Sequence, residues 1–296
     1  MQRHINCIVH NSSEGRLLIG DSYTAIVDCG MAFCAGETIK NVKTALKGRS
    51  LDYILLTHTH YDHVGALPYF RQEWPQMRLV TSEIGAAALL KETPRRVIRE
   101  LSITAAEKFI GRVAGVANAD IDYSDDTLYA DIIVKEGDVI DLGGLSAEVI
   151  ETPGHTRDSL CYFIPEIKLL MLNETPGVLM PDGSMYPCCL TGFADTMKSI
   201  EKCRNTGYKE LSLPHMGIVE PELTLGFFDK AFEVNTSCHD LILKMIGAGS
   251  SEEDMISKIC DKYLSEVLLT FQPKEAFEAN AKAIIACMKR ELMSKA

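Results

Sequence analysis

The amino-acid sequence predicts a mixed α/β sandwich that is followed by a purely helical extension. Its first half alternates short β-like runs with helical patterns, which is typical of sheets covered by helices. After His215, apolar residues recur with the 3.6-residue period of helices and no further strand pattern is found. We therefore expect an α/β domain over residues 1–220, with a helical insertion near 82–117, and a C-terminal helical extension over residues 221–296.

The predicted strands are short runs rich in apolar and β-branched side chains. They cover residues 5–10, 16–19, 23–28, 53–56, 132–135, 145–150, 160–164 and 169–172. The run Tyr53-Ile54-Leu55-Leu56 is apolar throughout, which is typical of a strand buried on both faces. Such a strand would deliver the polar residues that follow it to the edge of its sheet.

Helices are predicted where apolar residues recur every three or four positions. The predicted helices outside the insertion cover residues 36–47, 65–71, 227–245, 251–264 and 273–293. Within the insertion, Pro94 should divide the helical pattern into two pieces, because proline cannot donate to the helical hydrogen-bond ladder. We expect the insertion to form part of a wall or lid over a neighbouring site.

Composition and charge exclude several classes of protein. A hydrophobic fraction of 46% with 24% charged residues is that of a globular chain rather than a disordered one. The net charge of −11 argues against a general nucleic-acid binder, which would need clustered lysine and arginine. Residues 1–6 lack the apolar core of a signal peptide, and no segment is long enough for a spanning helix. We therefore expect a cytoplasmic protein without membrane or nucleic-acid partners.

The ten cysteines include no CxxC pair. Without an export signal they are expected to be reduced and mostly buried thiols rather than a disulfide framework. The vicinal pair Cys188-Cys189 is expected at a loop or strand edge.

Four candidate metal ligands lie within six residues, directly after the apolar run. They are His58, His60, Asp62 and His63. Neutral imidazole and carboxylate are the usual ligands of zinc, iron and manganese in proteins. His58 and His60 project to the same side of an extended segment and could bind one ion. The Asp-His pair that follows would bind a second ion. With only eight histidines in the chain, the run predicts a two-metal site rather than a chance cluster.

Two further histidines follow the same arrangement of strand, turn and histidine. His155 ends the run Thr152-Pro153-Gly154-His155, and His215 ends the run Leu213-Pro214-His215. The proline in each run favours a turn that presents the side chain at a sheet edge. Either histidine alone would more often be structural, but together with the first run they form a constellation of metal ligands.

The motif HxHxDH at 58–63, followed by TPGHT at 152–156 and a later strand-end histidine, resembles the metallo-β-lactamase superfamily, in its glyoxalase II-like branch of metal-dependent hydrolases. The resemblance covers about residues 3–220 and implies a four-layer αββα sandwich. It implies that the first metal is bound by His58, His60 and His155. It implies that the second metal is bound by Asp62, His63 and His215.

The family also places an aspartate, usually after a glycine, between the two metals at the end of the strand that follows TPGHT. Asn173-Glu174 occupy this place in the present sequence. Glu174 is therefore the expected bridging ligand, although its side chain is longer by one methylene than that of aspartate.

The resemblance implies a hydrolase with two divalent metal ions, of which zinc is favoured, with iron and manganese as alternatives. Two such ions lower the pKa of a shared water, and the resulting metal-bound hydroxide attacks a carbonyl or phosphoryl centre. Asp62 is the expected catalytic residue, since it is placed to orient the nucleophile and in the family is associated with handling its proton. The expected substrate is a small ester, thioester or lactone.

The helical extension is expected to cover the site or to form a homodimer. Met180, Met185 and Tyr186 are candidate pocket residues on a loop near the metals. A second candidate set, which could instead belong to the core of a helix, consists of Leu223, Leu225, Phe227 and Phe228.

Two other functions fit the same residues. Persulfide dioxygenases share HxHxDH but hold a single iron with two histidines and one carboxylate, so metal identity and sulfite production would distinguish such an oxidoreductase. The departure at Asn173-Glu174 also allows a non-catalytic binding or signalling protein on this scaffold, which would hold metal without turnover.

Overall fold

The structure is a computed structural model that describes residues 3–7, 15–109, 125–272 and 274–295. The strands are His4–Asn6 (β1), Arg16–Ile19 (β2), Thr24–Val27 (β3), Tyr53–Leu55 (β4), Arg78–Ser82 (β5), Ile132–Val134 (β6), Val139–Asp141 (β7), Ser146–Glu151 (β8), Leu160–Ile164 (β9), Leu169–Met171 (β10), Val178–Leu179 (β11), Met185–Tyr186 (β12), Glu210–Leu213 (β13) and Gly217–Ile218 (β14). The helices are Ala35–Leu46 (α1), Tyr61–Val64 (α2), Leu67–Glu73 (α3), Glu83–Leu89 (α4), Glu92–Phe109 (α5), Phe193–Arg204 (α6), Pro221–Gly247 (α7), Glu252–Tyr263 (α8), Glu266–Phe271 (α9) and Lys274–Lys295 (α10).

Two six-stranded sheets make up the α/β part of the chain. The first has the order β1-β2-β3-β4-β5-β6, with β3 to β6 parallel to one another. The second has the order β14-β13-β10-β9-β8-β7, and β11 and β12 form a separate two-stranded ribbon. Parallel pairing places Ile54 of β4 beside Ile26 of β3 and Leu79 of β5.

Three apolar layers separate the sheets from each other and from the helices that cover them. Leu55 of β4 and Tyr162 of β9 lie in the central layer between the sheets. Ile54, on the opposite face of the first sheet, packs on α1 and α3, and Leu170, on the opposite face of the second, packs on α6 and α7. Side chains that alternate along a strand give each sheet two apolar faces. The order of helix, sheet, sheet and helix confirms the predicted αββα sandwich.

Helices α7 to α10 form the C-terminal extension, which has an apolar core of its own. Ile242 of α7, Ile259 of α8 and Ile285 of α10 are buried in this core. The same core includes Tyr186 of β12 and the Cys188-Cys189 pair, so the extension packs directly on the ribbon and on the loop that follows it. Within the described ranges, no helix has the length and hydropathy needed to cross a membrane. Formation of a homodimer through these helices stays a prediction.

The helical insertion is interrupted before Pro94 and not at it, which corrects the sequence prediction. α4 ends at Leu89 and α5 begins at Glu92, so Pro94 lies in the first turn of α5. Proline is tolerated there because the first N–H groups of a helix have no intrahelical acceptor. Phe109 at the end of α5 packs near Tyr61, so the described part of the insertion supports one wall of the site. Residues 110–117 of the predicted insertion lie outside the described residues.

Several short strands were not predicted from the sequence. They are β5, β7, β11, β12 and β14. β5 pairs with β4 on one side and β6 on the other. Its own sequence gives a weak strand signal, since Leu79 and Val80 are its only large apolar residues. β14 pairs with β13, so the expectation that no strand follows His215 was wrong. The first predicted strand ends at Asn6, and residues 8–10 lie outside the described residues.

Candidate metal centre

The seven candidate ligands lie beyond the ends of four strands of the two sheets. The segment after β4 carries His58 and His60 on a loop and Asp62 and His63 in α2. The loops after β8, β10 and β13 carry His155, Glu174 and His215. The last of these loops turns sharply, since His215 has a φ of 66°, in the left-handed region that residues other than glycine rarely adopt. The structure brings all seven predicted residues together in overlapping groups of neighbouring side chains.

The first group consists of His58, His60 and His155, whose ligand atoms all lie within 4.8 Å of one another. His60 Nδ1 lies 3.0 Å from His155 Nε2, and the ring of His58 lies edge-on to both of the other rings. Burial, followed by the nearby His60, lowers the pKa of His155 to about 3. Burial, followed by the nearby His63, lowers the pKa of His58 well below its usual value. His58 and His155 are therefore neutral at physiological pH, which is the form of imidazole that binds metal.

The second group consists of Asp62, His63 and His215. Asp62 Oδ2 lies 3.7 Å from His63 Nε2 and 3.9 Å from His215 Nε2. Separations of this size suit ligand atoms that share one ion at the usual metal–nitrogen distance of about 2.1 Å. Asp62 and His215 are partly exposed whereas His63 is buried, so the second group forms the more open side of the site.

Glu174 lies between the two groups. Its Oε1 is 2.8 Å from His63 Nε2 and 3.1 Å from His215 Nε2, and its Oε2 is 3.6 Å from His58 Nδ1. Burial alone would raise the pKa of this carboxyl, but His63 and His58 outweigh burial and hold the pKa well below its usual range. Burial alone would likewise lower the pKa of His63, but Glu174 and Asp28 outweigh it and raise the pKa. An ionised carboxylate that contacts both groups suits the predicted bridging role.

Two buried ligand atoms, His58 Nε2 and Glu174 Oε2, have no hydrogen-bond partner within the described part of the chain. A third, His63 Nε2, lies 2.8 Å from Glu174 Oε1 but in a geometry that makes no hydrogen bond. Buried polar atoms nearly always have a partner, so these atoms in one place need an explanation. Divalent cations coordinated by nitrogen and oxygen would provide it. The residues present therefore fit bound metal ions, and their donor set is one that zinc, iron and manganese share.

Asp28, which was not predicted as a site residue, orients His63. Its Oδ2 accepts hydrogen bonds from His63 Nδ1 and from the Thr57 hydroxyl, each at 2.8 Å, and its Oδ1 accepts from the Thr57 backbone N–H at 2.7 Å. A proton held on Nδ1 directs Nε2 of His63 toward Asp62 and His215, the other two members of the second group. The signal in the sequence was weak, because Asp28 is simply a carboxylate that follows a short strand.

Asn173 stands where the family has glycine, and its side chain has a structural role. Its Nδ2 donates to Thr152 Oγ1 at 2.6 Å and to the Leu160 carbonyl at 3.0 Å, and its Oδ1 accepts from the Thr175 backbone N–H at 2.7 Å. These bonds join the loop that carries Glu174 to the loop before His155. The departure from glycine therefore adds a connection between two loops that carry candidate ligands.

The vicinal cysteines are buried beside the first group. The Cys188 carbonyl accepts a hydrogen bond from His155 Nδ1 at 3.2 Å, so this residue orients a candidate ligand through its backbone. Burial, with a further contribution from Glu174, raises the pKa of the Cys188 thiol well above its usual value, so the thiol stays protonated. The Cys189 thiol contacts that of Cys287 on α10.

Replacing Asp28 by asparagine is expected to weaken binding of the second metal by about 10- to 100-fold, the usual cost of losing an outer-shell partner. Asparagine tolerates the left-handed backbone at this position, where φ is 57°. Asparagine cannot accept all three hydrogen bonds, because one carboxylate oxygen becomes an amide donor that faces either the His63 N–H or the Thr57 backbone N–H. Competition with a chelator of known affinity measures the change, and Asp21→Asn at an exposed position is the control. An unchanged affinity in Asp28→Asn would contradict the orienting role.

A small cavity of about 80 Å³ opens beside the second group. Asp62 and His215 contribute to its walls, and the other lining residues are Met31, Tyr61, Val178, Leu179, Met180, Tyr186, Met216 and Gln272. Met180 and Tyr186 were among the predicted pocket residues. Gln272 was not predicted, and it comes from the C-terminal extension.

The other predicted pocket residues do not line this cavity. Met185, Phe227 and Phe228 are buried in the core between the second sheet and its helices, with Leu223 packed against that core. Leu225 is 86% exposed. The apolar residues at the start of α7 thus form an ordinary helix core. A larger cleft of about 730 Å³ is lined by Val134, Arg157 and Thr191 among other residues, and none of the seven candidate ligands lines it.

Sequence and fold are both similar to those of known proteins. The family model of the metallo-beta-lactamase superfamily matches residues 17–172. The metallo-beta-lactamase fold-containing protein ST1585 of Sulfurisphaera tokodaii is 27% identical over 213 residues, which cover 70% of this chain and 74% of that protein. A hydroxyacylglutathione hydrolase of Rhodopseudomonas palustris is 33% identical over 129 residues, but these span only 44% of this chain and 35% of that enzyme.

A solved structure with a similar fold is that of the metallo-beta-lactamase family protein TTHA1429 from Thermus thermophilus. It superposes with a TM-score of 0.57 at 16% identity, and the match covers 93% of this chain and 88% of that one. At this level of identity the likeness concerns the fold alone. The family model covers more than half of the chain, so the chain belongs to the metallo-beta-lactamase superfamily.

Proposed function

We propose that this protein is a binuclear metal-dependent hydrolase that cleaves a small ester, thioester or lactone. The observation that carries the proposal is the contact of one carboxylate with both ligand groups. Oε1 of Glu174 lies 2.8 Å from His63 Nε2, and Oε2 lies 3.6 Å from His58 Nδ1. This placement supports two ions held side by side. Membership of a superfamily that includes hydroxyacylglutathione hydrolases also supports the proposal.

In the proposed mechanism the residues of the chain hold the ions and move one proton. Divalent ions held by these residues would activate water at neutral pH and would polarise the carbonyl of the substrate. The neutral rings of His58 and His155 bind through lone pairs and have no proton to lose first. Asp62 is the proposed catalytic residue, because its partly exposed carboxylate lines the cavity and can accept a proton from the nucleophile and return it to the leaving group.

The walls of the cavity favour a short apolar acyl group. Met31, Val178 and Met180 present apolar side chains to the space beside Asp62 and His215. Among the described residues that line it, none is a lysine or an arginine. A phosphodiester would therefore meet no cationic side chain there, whereas an ester, thioester or lactone needs none.

Two ligand groups of three side chains each favour this proposal over a mono-iron oxidoreductase, which would leave one group without an ion. A single-iron site of the persulfide dioxygenase kind needs two histidines and one carboxylate. Here Asp62, His63 and His215 form a group in addition to the three histidines of the first. A non-catalytic binding protein would keep both groups and differ in lacking turnover.

Elemental analysis of protein purified without added metal, together with an ester, thioester, lactone and phosphodiester hydrolysis panel, tests the proposal. We expect about two metal equivalents per chain and turnover of at least one of the three carbonyl classes. Chelation should remove this turnover and added metal should restore it. A single iron with sulfite production from a persulfide would support the dioxygenase instead, and two metals without turnover would support a binding protein.

A further inference from the structure

Gln272 brings a polar side chain from the C-terminal extension to the cavity beside the candidate metal centre. The residue follows α9, and its backbone N–H caps that helix by donating to the Leu268 carbonyl at 2.9 Å. Its side chain lines the cavity together with Asp62 and His215. It lies outside the part of the chain that the family model matches, residues 17–172.

The side-chain amide of Gln272 has an unused donor. Its Nε2 is buried and has no hydrogen-bond partner within the described part of the chain. The neighbouring walls of the cavity include Val178, Leu179 and Met180, among which the Met180 thioether is the one acceptor and a weak one. A buried donor without a partner is costly, so a ligand that supplies an acceptor at this point would be favoured over one that does not.

We propose that Gln272 determines specificity by donating a hydrogen bond to an oxygen on the acyl chain of the substrate, at a position separate from the carbonyl that is cleaved. This inference rests on the proposed hydrolase function. The cleaved carbonyl belongs beside Asp62 and His215, and the rest of the acyl group then faces the apolar walls. A single amide donor in such walls selects a chain that carries an oxo group over the matching saturated chain, because the saturated chain leaves the donor unpaired.

The test compares pentanoyl, 3-oxopentanoyl and 4-oxopentanoyl thioesters of one thiol, using the metal-loaded enzyme. We expect kcat/KM to be about 10- to 100-fold higher for at least one oxo substrate than for the pentanoyl thioester, which is the size of effect expected when a ligand satisfies a buried donor that would otherwise stay unpaired. Gln272→Met, which keeps the length of the side chain without its donors, should remove this preference by lowering kcat/KM for the oxo substrates toward the value for the pentanoyl thioester. Gln272→Glu should also remove it, since a carboxylate accepts and does not donate.

Two controls separate specificity from a general loss of function. Gln72→Met changes an exposed glutamine on α3 and should leave the preference intact. Metal content and Tm should be the same in all variants. Binding of non-hydrolysable analogues, in which a methylene replaces the thioester sulfur, should show the same oxo preference in the wild type and lose it in Gln272→Met.

The outcomes distinguish this inference from the proposed function. If the wild type hydrolyses saturated and oxo substrates equally and Gln272→Met changes neither rate, the inference is wrong and the hydrolase proposal stands. If no thioester, ester or lactone is hydrolysed, the hydrolase proposal fails, and the analogues then decide whether Gln272 selects an acyl oxygen. Equal binding of all analogues by the wild type would overturn the inference.

Discussion

Replacing His60 by alanine is expected to reduce hydrolysis by at least about 100-fold, because loss of a metal ligand should cost more than the roughly 10- to 100-fold loss typical of an outer-shell partner. His60 Nδ1 lies 3.0 Å from His155 Nε2, so the variant removes one of three ligands from the first group. Metal content should fall from about two equivalents to about one. Hydrolysis and elemental analysis of the same preparation measure both effects.

The fold of the His60→Ala protein should survive. His60 is half-buried and its side chain makes no capping hydrogen bond to α2, so the free energy of unfolding of metal-free protein should change by about 1 kcal/mol. His239→Ala is the matched control, since His239 lies on α7 and stacks on Phe193 with ring centroids 4.0 Å apart. Its metal content and turnover should equal those of the wild type. Full activity in the His60→Ala protein would show that the proposed site is wrong.

The second large effect is expected for Glu174→Gln. The variant keeps the shape of the side chain but removes the charge that lies 2.8 Å from His63 Nε2 and 3.1 Å from His215 Nε2. Breaking a buried pair of this kind costs about 3 kcal/mol, because the remaining partner is left without compensation. We therefore expect metal-free protein to be destabilised, and we expect weaker metal binding and a loss of hydrolysis of at least about 100-fold. Urea denaturation and chelator competition measure the first two effects.

The destabilisation by Glu174→Gln in metal-free protein should depend on pH. Burial raises the pKa of Glu174 but His63 and His58 outweigh it, so the folded-state pKa lies well below the usual 4.5. The stabilisation is then complete above the unfolded-state pKa and is lost as the pH falls through the folded-state value. The raised pKa of His63 gives the opposite pH dependence. Its contribution to stability is complete below pH 6.5 and is lost as the pH rises through its folded-state pKa. The difference between the two proteins should be largest between these limits.

A control with the same chemical change defines the background for Glu174→Gln. Glu148 is exposed on β8, so Glu148→Gln should leave metal content, hydrolysis and unfolding unchanged. Glu174→Asp tests whether the length of the side chain matters, since it keeps the carboxylate, introduces the residue that the family uses and shortens the side chain by one methylene. Two tightly held metals and full hydrolysis in Glu174→Gln would show that this carboxylate does not bridge them.

The main layers of the fold could be predicted because the pattern of each long element is local. Arg16–Ile19 and Leu160–Ile164 were predicted with the bounds that the structure has, because each contains a run of at least three apolar side chains that is largely buried in a sheet. Val178–Leu179 and Met185–Tyr186 could not be predicted, because two residues carry no periodicity and their pairing depends on the turn between them. Arg78–Ser82 is likewise defined by β4 and β6 on either side.

The candidate ligands could be predicted because chemistry fixes their types and their spacing in the chain. His58, His60 and His63 lie within one short run, which a chance distribution of histidine rarely produces. Asp28 has no such spacing, since it lies 35 residues before the histidine that it orients. Gln272 reaches the cavity only through the packing of the extension, and no local pattern distinguishes it from an exposed glutamine.

The packing of the extension on the ribbon has a thermodynamic consequence for the metal centre. The buried core of the extension includes Cys188, whose carbonyl accepts the hydrogen bond from His155 Nδ1. Docking of the helices and occupation of the first ligand group therefore share one hydrogen bond, which couples the two equilibria. Such coupling is reciprocal. If a ligand that binds the extension changes the affinity for metal by some factor, then metal changes the affinity for that ligand by the same factor.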